Sequence, residues 1–114
     1  MAFTEIELAR IKKIVGGFCG SRSPAHIRDK LRYDYKVQNQ AVIIYEIRPQ
    51  WDDPEKKIEA PLAKLNFVKN RNVWNLYWQG ANMKWNKYEQ FESSADIVEL
   101  VNAINDDRCG CFFG

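Results

Sequence analysis

The chain reads as an α+β domain: an N-terminal helix, a five-stranded antiparallel meander and a C-terminal helix. Three observations predict it. Leu8, Ile11, Ile14, Val15 and Phe18 recur at helical spacing near the start, as do Ile97, Leu100, Val101 and Ile104 near the end. From Leu31 the apolar period drops to two, the signature of half-buried strands. Asn39-Gln40, Lys69-Asn70-Arg71-Asn72 and Gly80-Ala81-Asn82 punctuate the strands as turns.

The first helix has a full start signal. Thr4 can cap it, Glu7 can return the bond as a capping box, and Phe3 can pack on Leu8 as a hydrophobic staple. Gly16 and Gly17 end the helix or weaken its last turn, and Ser23-Pro24 turns the chain. Leu31, Tyr33, Tyr35 and Val37 then face one way, and Arg32, Asp34, Lys36 and Gln38 the other. After the Asn39-Gln40 hairpin, Ala41 to Arg48 is apolar on both faces, which predicts a central strand covered on both sides.

Pro49 removes a ladder donor, so residues 49 to about 60 are expected to be irregular. Within them Asp53-Pro54 reads as a cap followed by proline at the first position of a single helical turn over Glu55 to Ile58. Three strands follow. Pro61 to Lys69 turns Ala63, Leu65 and Phe67 inward, Val73 to Gln79 turns Trp74, Leu76 and Trp78 inward, and Met83 to Tyr88 turns Met83 and Trp85 inward. Ser93 caps the last helix, which ends near Asp106-Asp107, and Phe112 or Phe113 of the apolar tail is expected to dock.

The bulk properties narrow the class. At 114 residues one domain is the expectation, and 46% apolar with 28% charged residues matches a soluble globular protein. No apolar run approaches the roughly 20 residues a membrane helix needs, and the first residues lack a secretory pattern. The odd cysteine count, Cys19, Cys109 and Cys111, agrees with a reducing compartment, so a cytoplasmic location is expected. Residues 61–88 carry Lys64, Lys69, Arg71, Lys84 and Lys87 and no acid, whereas residues 89–107 carry Glu89, Glu92, Asp96, Glu99, Asp106 and Asp107 and no base. This predicts a basic sheet portion and an acidic final helix.

Four stretches together resemble a small bacterial domain-of-unknown-function family. They are Phe3-Thr4-Glu5 opening a helix, the Arg48-Pro49-Gln50-Trp51-Asp52-Asp53-Pro54 segment, Trp74-Asn75-Leu76-Tyr77-Trp78, and the Gly110-Cys111-Phe112-Phe113-Gly114 ending. The resemblance spans nearly the whole chain. It implies a compact bacterial cytoplasmic protein and brings no catalytic residues with it.

Four sets of residues could carry chemistry. The strand faces opposite the core display Lys64, Asn66, Asn75, Tyr77, Lys84, Asn86 and Tyr88, with Arg32 and Lys36 beside them. Lysines neutralise phosphates and tyrosines stack on unpaired bases, so this face fits single-stranded nucleic acid, although any solvated sheet face alternates similarly. Glu46, Asp52 and Asp53, with Glu59 and a cation from Lys64 or Arg48, could hold a divalent metal in a phosphodiesterase or nuclease. Asp34 with Glu46-Ile47-Arg48 faintly resembles the PD-(D/E)-x-K nuclease core, but Arg48 stands where that motif needs a lysine. Structural duties compete: Glu46 and Arg48 can pair with neighbours, and Asp53 can cap a turn.

Cys19, His26, Cys109 and Cys111 are the soft ligands, four in number as zinc requires, yet their spacing is poor and buried thiols are the commoner fate. Trp51 with Arg48 fits either a partner-protein contact or an internal cation–π stack that locks the loop. The expectation is a binding module, for nucleic acid first and a partner protein second, with no cofactor and no membrane contact; the alternative is the carboxylate phosphodiesterase.

Overall fold

The computed structural model describes residues 3–80, 82–107, 110 and 112. Its helical opening is α1 (Glu5–Ile11), a π-helical turn over Lys12–Gly16, and α2 (Gly17–Ser21), in unbroken succession. The capping box forms as expected: the Thr4 amide donates to Glu7 Oε1 at 2.8 Å and the Glu7 amide to Thr4 Oγ1 at 3.2 Å. The staple does not form. Phe3 instead stacks on Trp74, with ring centroids 5.5 Å apart, and Leu8 lies exposed.

The glycine pair does not stop the helix. A Cβ on Gly16 would meet Tyr35 Cε1 at 3.4 Å, so the glycine lets the π-helical turn lie close against the sheet. The chain turns at Ser23, whose buried hydroxyl donates to Cys19 O at 2.7 Å and accepts from the Tyr33 amide at 2.8 Å.

The sheet has six antiparallel strands: β1 (Arg32–Gln38), β2 (Ala41–Gln50), β3 (Asp53–Val68), β4 (Val73–Gln79), β5 (Trp85–Lys87) and β6 (Ser93–Ser94). The first five run in meander order, and β6 pairs with β4 along the edge that β5 also uses. The chain closes with α3 (Ile97–Asp106). Ile11, Val15 and Phe18 from the first helical segment and Ile97, Leu100 and Ile104 from α3 pack on Val42, Ile44, Ala63, Leu65, Trp74 and Leu76. Both helical segments therefore cover the same face of the sheet, and the opposite face is left without a helix.

Three further sequence expectations are corrected. Residues 49–60 are not an irregular loop with a helical turn; they are the distal part of the β2–β3 hairpin, with Trp51-Asp52 at its tip. Pro49 pairs with Lys57 because β1 ends at the Arg32–Ile47 pair, which leaves β2 an open edge where a missing N–H breaks no ladder bond. Asp53 keeps a local acceptor role, taking the Glu55 amide at 3.3 Å, but within a strand. The cap of α3 is Asp96, which accepts from the Val98 amide at 3.0 Å, because Ser93 and Ser94 are paired to Asn75 and Trp74. The third correction is a change of parity in β5, which bears directly on the site.

Candidate nucleic-acid interface

Residues directly opposite in an antiparallel ladder share a face. Leu65 and Leu76 face each other and are fully buried, so their neighbours Lys64 and Tyr77, also paired, point to the helix-free side. Following the pairs outward gives one continuous row: Lys36 opposite Ile43, Ile43 opposite Lys64, Lys64 opposite Tyr77, Tyr77 opposite Lys87. Adjacent strands lie about 4.8 Å apart, so the backbones carrying Lys36, Lys64 and Lys87 follow one another at about 10 Å intervals.

In β5, Gln79 pairs with Trp85 and Tyr77 with Lys87, which puts Trp85 and Lys87 on the helix-free face. The sequence reading had Trp85 inward and Asn86 and Tyr88 outward. The structure reverses this, and Tyr88, at 1% exposure, is a core residue whose ring lies 4.9 Å from that of Phe112. The reason is the bond from the Tyr88 amide to Leu76 O, which sets Tyr88 against a fully buried leucine. Met83, at a positive φ of 65°, is exposed in the turn before β5 rather than inward. Lys84 sits just before the strand, exposed. The β5 residues missing from the sequence-derived set, Trp85 and Lys87, were recoverable only from the register.

The helix-free face also has its own cover for the central strand. Tyr45 and Ile47 point to it yet are only 6% exposed. Lys36 places its ammonium 5.0 Å from the Tyr45 ring centroid and 3.6 Å from the Glu59 carboxylate, so its aliphatic stem shields the strand while its charge stays in water. Among the described residues no ion pair engages Lys64 or Lys87. Asn66 and Asn75, also paired, extend the polar surface beside the row.

The other candidates fall elsewhere. Glu46 stands opposite Tyr33 and Ala60 on the helix-facing side of β2, half-buried, and adds to burial in raising the Tyr33 hydroxyl above its ordinary pKa. Four strand residues, about 13 Å, separate it from Gln50, next to the turn that holds Asp52. The structure thus brings Asp52 and Asp53 together at the hairpin tip and leaves Glu46 well below. Trp51 is 92% exposed, so Arg48 does not cover it as a stack would require.

Cys19 is buried in the core, and burial, with the Asp34 carboxylate adding to it, pushes its thiol up to about 12. His26 is exposed in the connector between α2 and β1. Cys109 and Cys111, like Phe113, lie outside the described residues, whereas Phe112 docks in the core at 5% exposure. Among the described residues no three His, Cys, Asp or Glu side chains cluster as metal ligands would. No described helix is long and apolar enough to cross a membrane.

Neither the curated proteins nor the solved structures include a match to this chain. A family model does match, over residues 3–114, and by that match the chain belongs to the domain-of-unknown-function family DUF3024.

Proposed function

We infer that the protein is a binding module whose helix-free sheet face takes single-stranded nucleic acid. The observation that carries this reading is the Lys36–Ile43–Lys64–Tyr77–Lys87 row, with Trp85 on the same face. A strand crossing the sheet along this row meets cations for its phosphates and two aromatic side chains on which bases can stack, each stacked base contributing about 1–3 kcal/mol. The acidic α3 lies against the other face, so the polyanion is steered to one side.

The test is titration of a labelled single-stranded oligonucleotide pool by fluorescence anisotropy at several salt concentrations. Binding that weakens steeply with salt, and that Lys64→Ala combined with Lys87→Ala reduces, supports the reading; no binding at low salt sinks it.

The hairpin tip favours a second reading. A tryptophan 92% exposed, with Ile58 also exposed on the same hairpin, is the kind of anchor that fills a pocket on a partner protein. A co-purifying protein that Trp51→Ala releases, with oligonucleotide affinity unaffected, would mark this as a separate surface. The spread of Glu46, Asp52 and Asp53 along the hairpin lends the metal-dependent phosphodiesterase no support.

A further inference from the structure

The lysine row of the helix-free face ends at Lys36, and there a cleft of about 220 Å³ is lined by Lys36, Gln38, Ile43, Tyr45, Glu59 and Pro61. Its size falls below the range of drug-sized ligand pockets, which suits a single planar ring system. A β-bulge builds it. Ile44 pairs with Ala63 but Tyr45 with Pro61, so Leu62 is an extra residue in β3. In a regular strand that turns Lys64 to the helix-free face, Ala60 would share that face. The extra residue reverses the parity, and Pro61 and Glu59, opposite Tyr45 and Ile47, come there instead.

The cleft joins an apolar floor to a polar edge. Ile43 and Pro61 are half-buried, over the covered ring of Tyr45. Lys36 Nζ lies 3.6 Å from Glu59 Oε1, and the two side chains are 57% and 50% exposed, so a ligand can reach both. An exposed pair of this kind contributes little to folding and opens at small cost. A cationic donor beside a carboxylate is selective among bases. The carboxylate accepts two hydrogen bonds side by side, and guanine alone presents two adjacent N–H donors, N1–H and N2–H, next to an acceptor, O6, that an ammonium can meet. Thymine and uracil offer one ring N–H between two acceptors, and adenine and cytosine one amino group beside an acceptor. Glu59 repels phosphates, so it serves a bound strand only through a base edge.

We propose that this cleft takes one guanine of the bound single strand, its ring on Ile43 and Pro61 and its Watson–Crick edge on Lys36 and Glu59, while Lys64 and Lys87 hold neighbouring phosphates. Base selectivity of this kind rests on the strand-binding reading above.

Fluorescence anisotropy with a labelled short oligothymidine, with and without one central guanine, tests it on the full chain. The guanine strand is expected to bind about five- to tenfold tighter, the low end for a two-bond base contact. Deoxyinosine, which lacks the N2 amino group, should bind several-fold more weakly than guanine, whereas 7-deazaguanine, unaltered on the Watson–Crick edge, should match it. Glu59→Gln should abolish the preference and leave affinity for the all-thymine strand equal or higher, since a charge that repels phosphate is gone. Free GMP, without the neighbouring phosphates, should compete only weakly. No binding of any strand at low salt sinks the strand-binding reading and the guanine site with it. Binding without base preference, a preference that survives Glu59→Gln, deoxyinosine equal to guanine, or GMP competing as well as the strand overturns the guanine site alone.

Discussion

The hydroxyl of Ser23 and the amide of Tyr33 are joined by a 2.8 Å hydrogen bond at the point where the helical segment hands the chain to β1. Ser23 is 4% exposed, and the same hydroxyl donates to Cys19 O. Ser23→Ala leaves the half-buried Tyr33 amide and the buried Cys19 carbonyl short of a partner, so a loss of about 1–2 kcal/mol is expected in urea denaturation. A change within a few tenths of a kcal/mol would show that the junction is held by packing alone.

Cys19 gives the alkaline limb of stability a definite sign. Its thiol is pushed from an ordinary value of 9.0 up to about 12, first by burial and then by Asp34, so the folded chain holds the proton that the unfolded chain loses. The stabilisation is complete below pH 9 and is lost as pH rises from there through 12. Burial raises the Tyr33 and Tyr35 hydroxyls as well, and they act in the same direction. Cys19→Ala should flatten this limb without removing it. Iodoacetamide near neutral pH, read by peptide mapping, should leave Cys19 unmodified until the chain unfolds.

Trp51 and Trp74 occupy opposite environments, 92% and 8% exposed. Trp51→Ala should change folding stability by no more than about 0.5 kcal/mol, as for an exposed site without partners. It should also remove much of the acrylamide-quenchable tryptophan fluorescence. A large loss of stability would mean that the hairpin tip packs on something.

Register separates two lysines that look alike in sequence. Lys87 is paired into the row opposite Tyr77, whereas Lys84 precedes the strand. Lys87→Ala should lower oligonucleotide affinity and reduce the salt slope by about 0.7, the value for one phosphate contact on a single strand, with Lys84→Ala the weaker of the two. The reverse order would place the ligand on the turn instead of the sheet.

What could be read directly from the residues was whatever depended on near neighbours. The Thr4–Glu7 box, the Asn39-Gln40 turn, the inward faces of β3 and β4 and the buried stripe of α3 all follow from spacing within a few positions. Misreadings arose where a distant strand decided. Pro49 ends a strand only if both its edges are paired, and the length of β1 leaves one open. In β5 both parities offer an aromatic residue, Trp85 on one and Tyr88 on the other, so hydrophobicity alone does not choose between them; the bond to Leu76 does. For the site, Lys64 and Tyr77 were legible because their neighbours are unambiguously apolar, while Trp85 and Lys87 were hidden behind the wrong parity.

The β2–β3 hairpin has two regimes along one pair of strands. Up to the Arg32–Ile47 pair it is flanked by β1, and its helix-facing side packs under the helices. Beyond that point Arg48 and residues 54–59 are exposed, and a side-chain bond from Lys57 Nζ to Asp29 O ties the arm back to the body. Breaking the outer amide pairs therefore exposes little apolar surface, and the arm is expected to exchange its amide hydrogens through a local opening while Val42 and Ile44 exchange only with global unfolding. The segment that carries Trp51 thus sits at the low end of the molecule's stability, free to reorganise around whatever it meets without unsettling the core behind it.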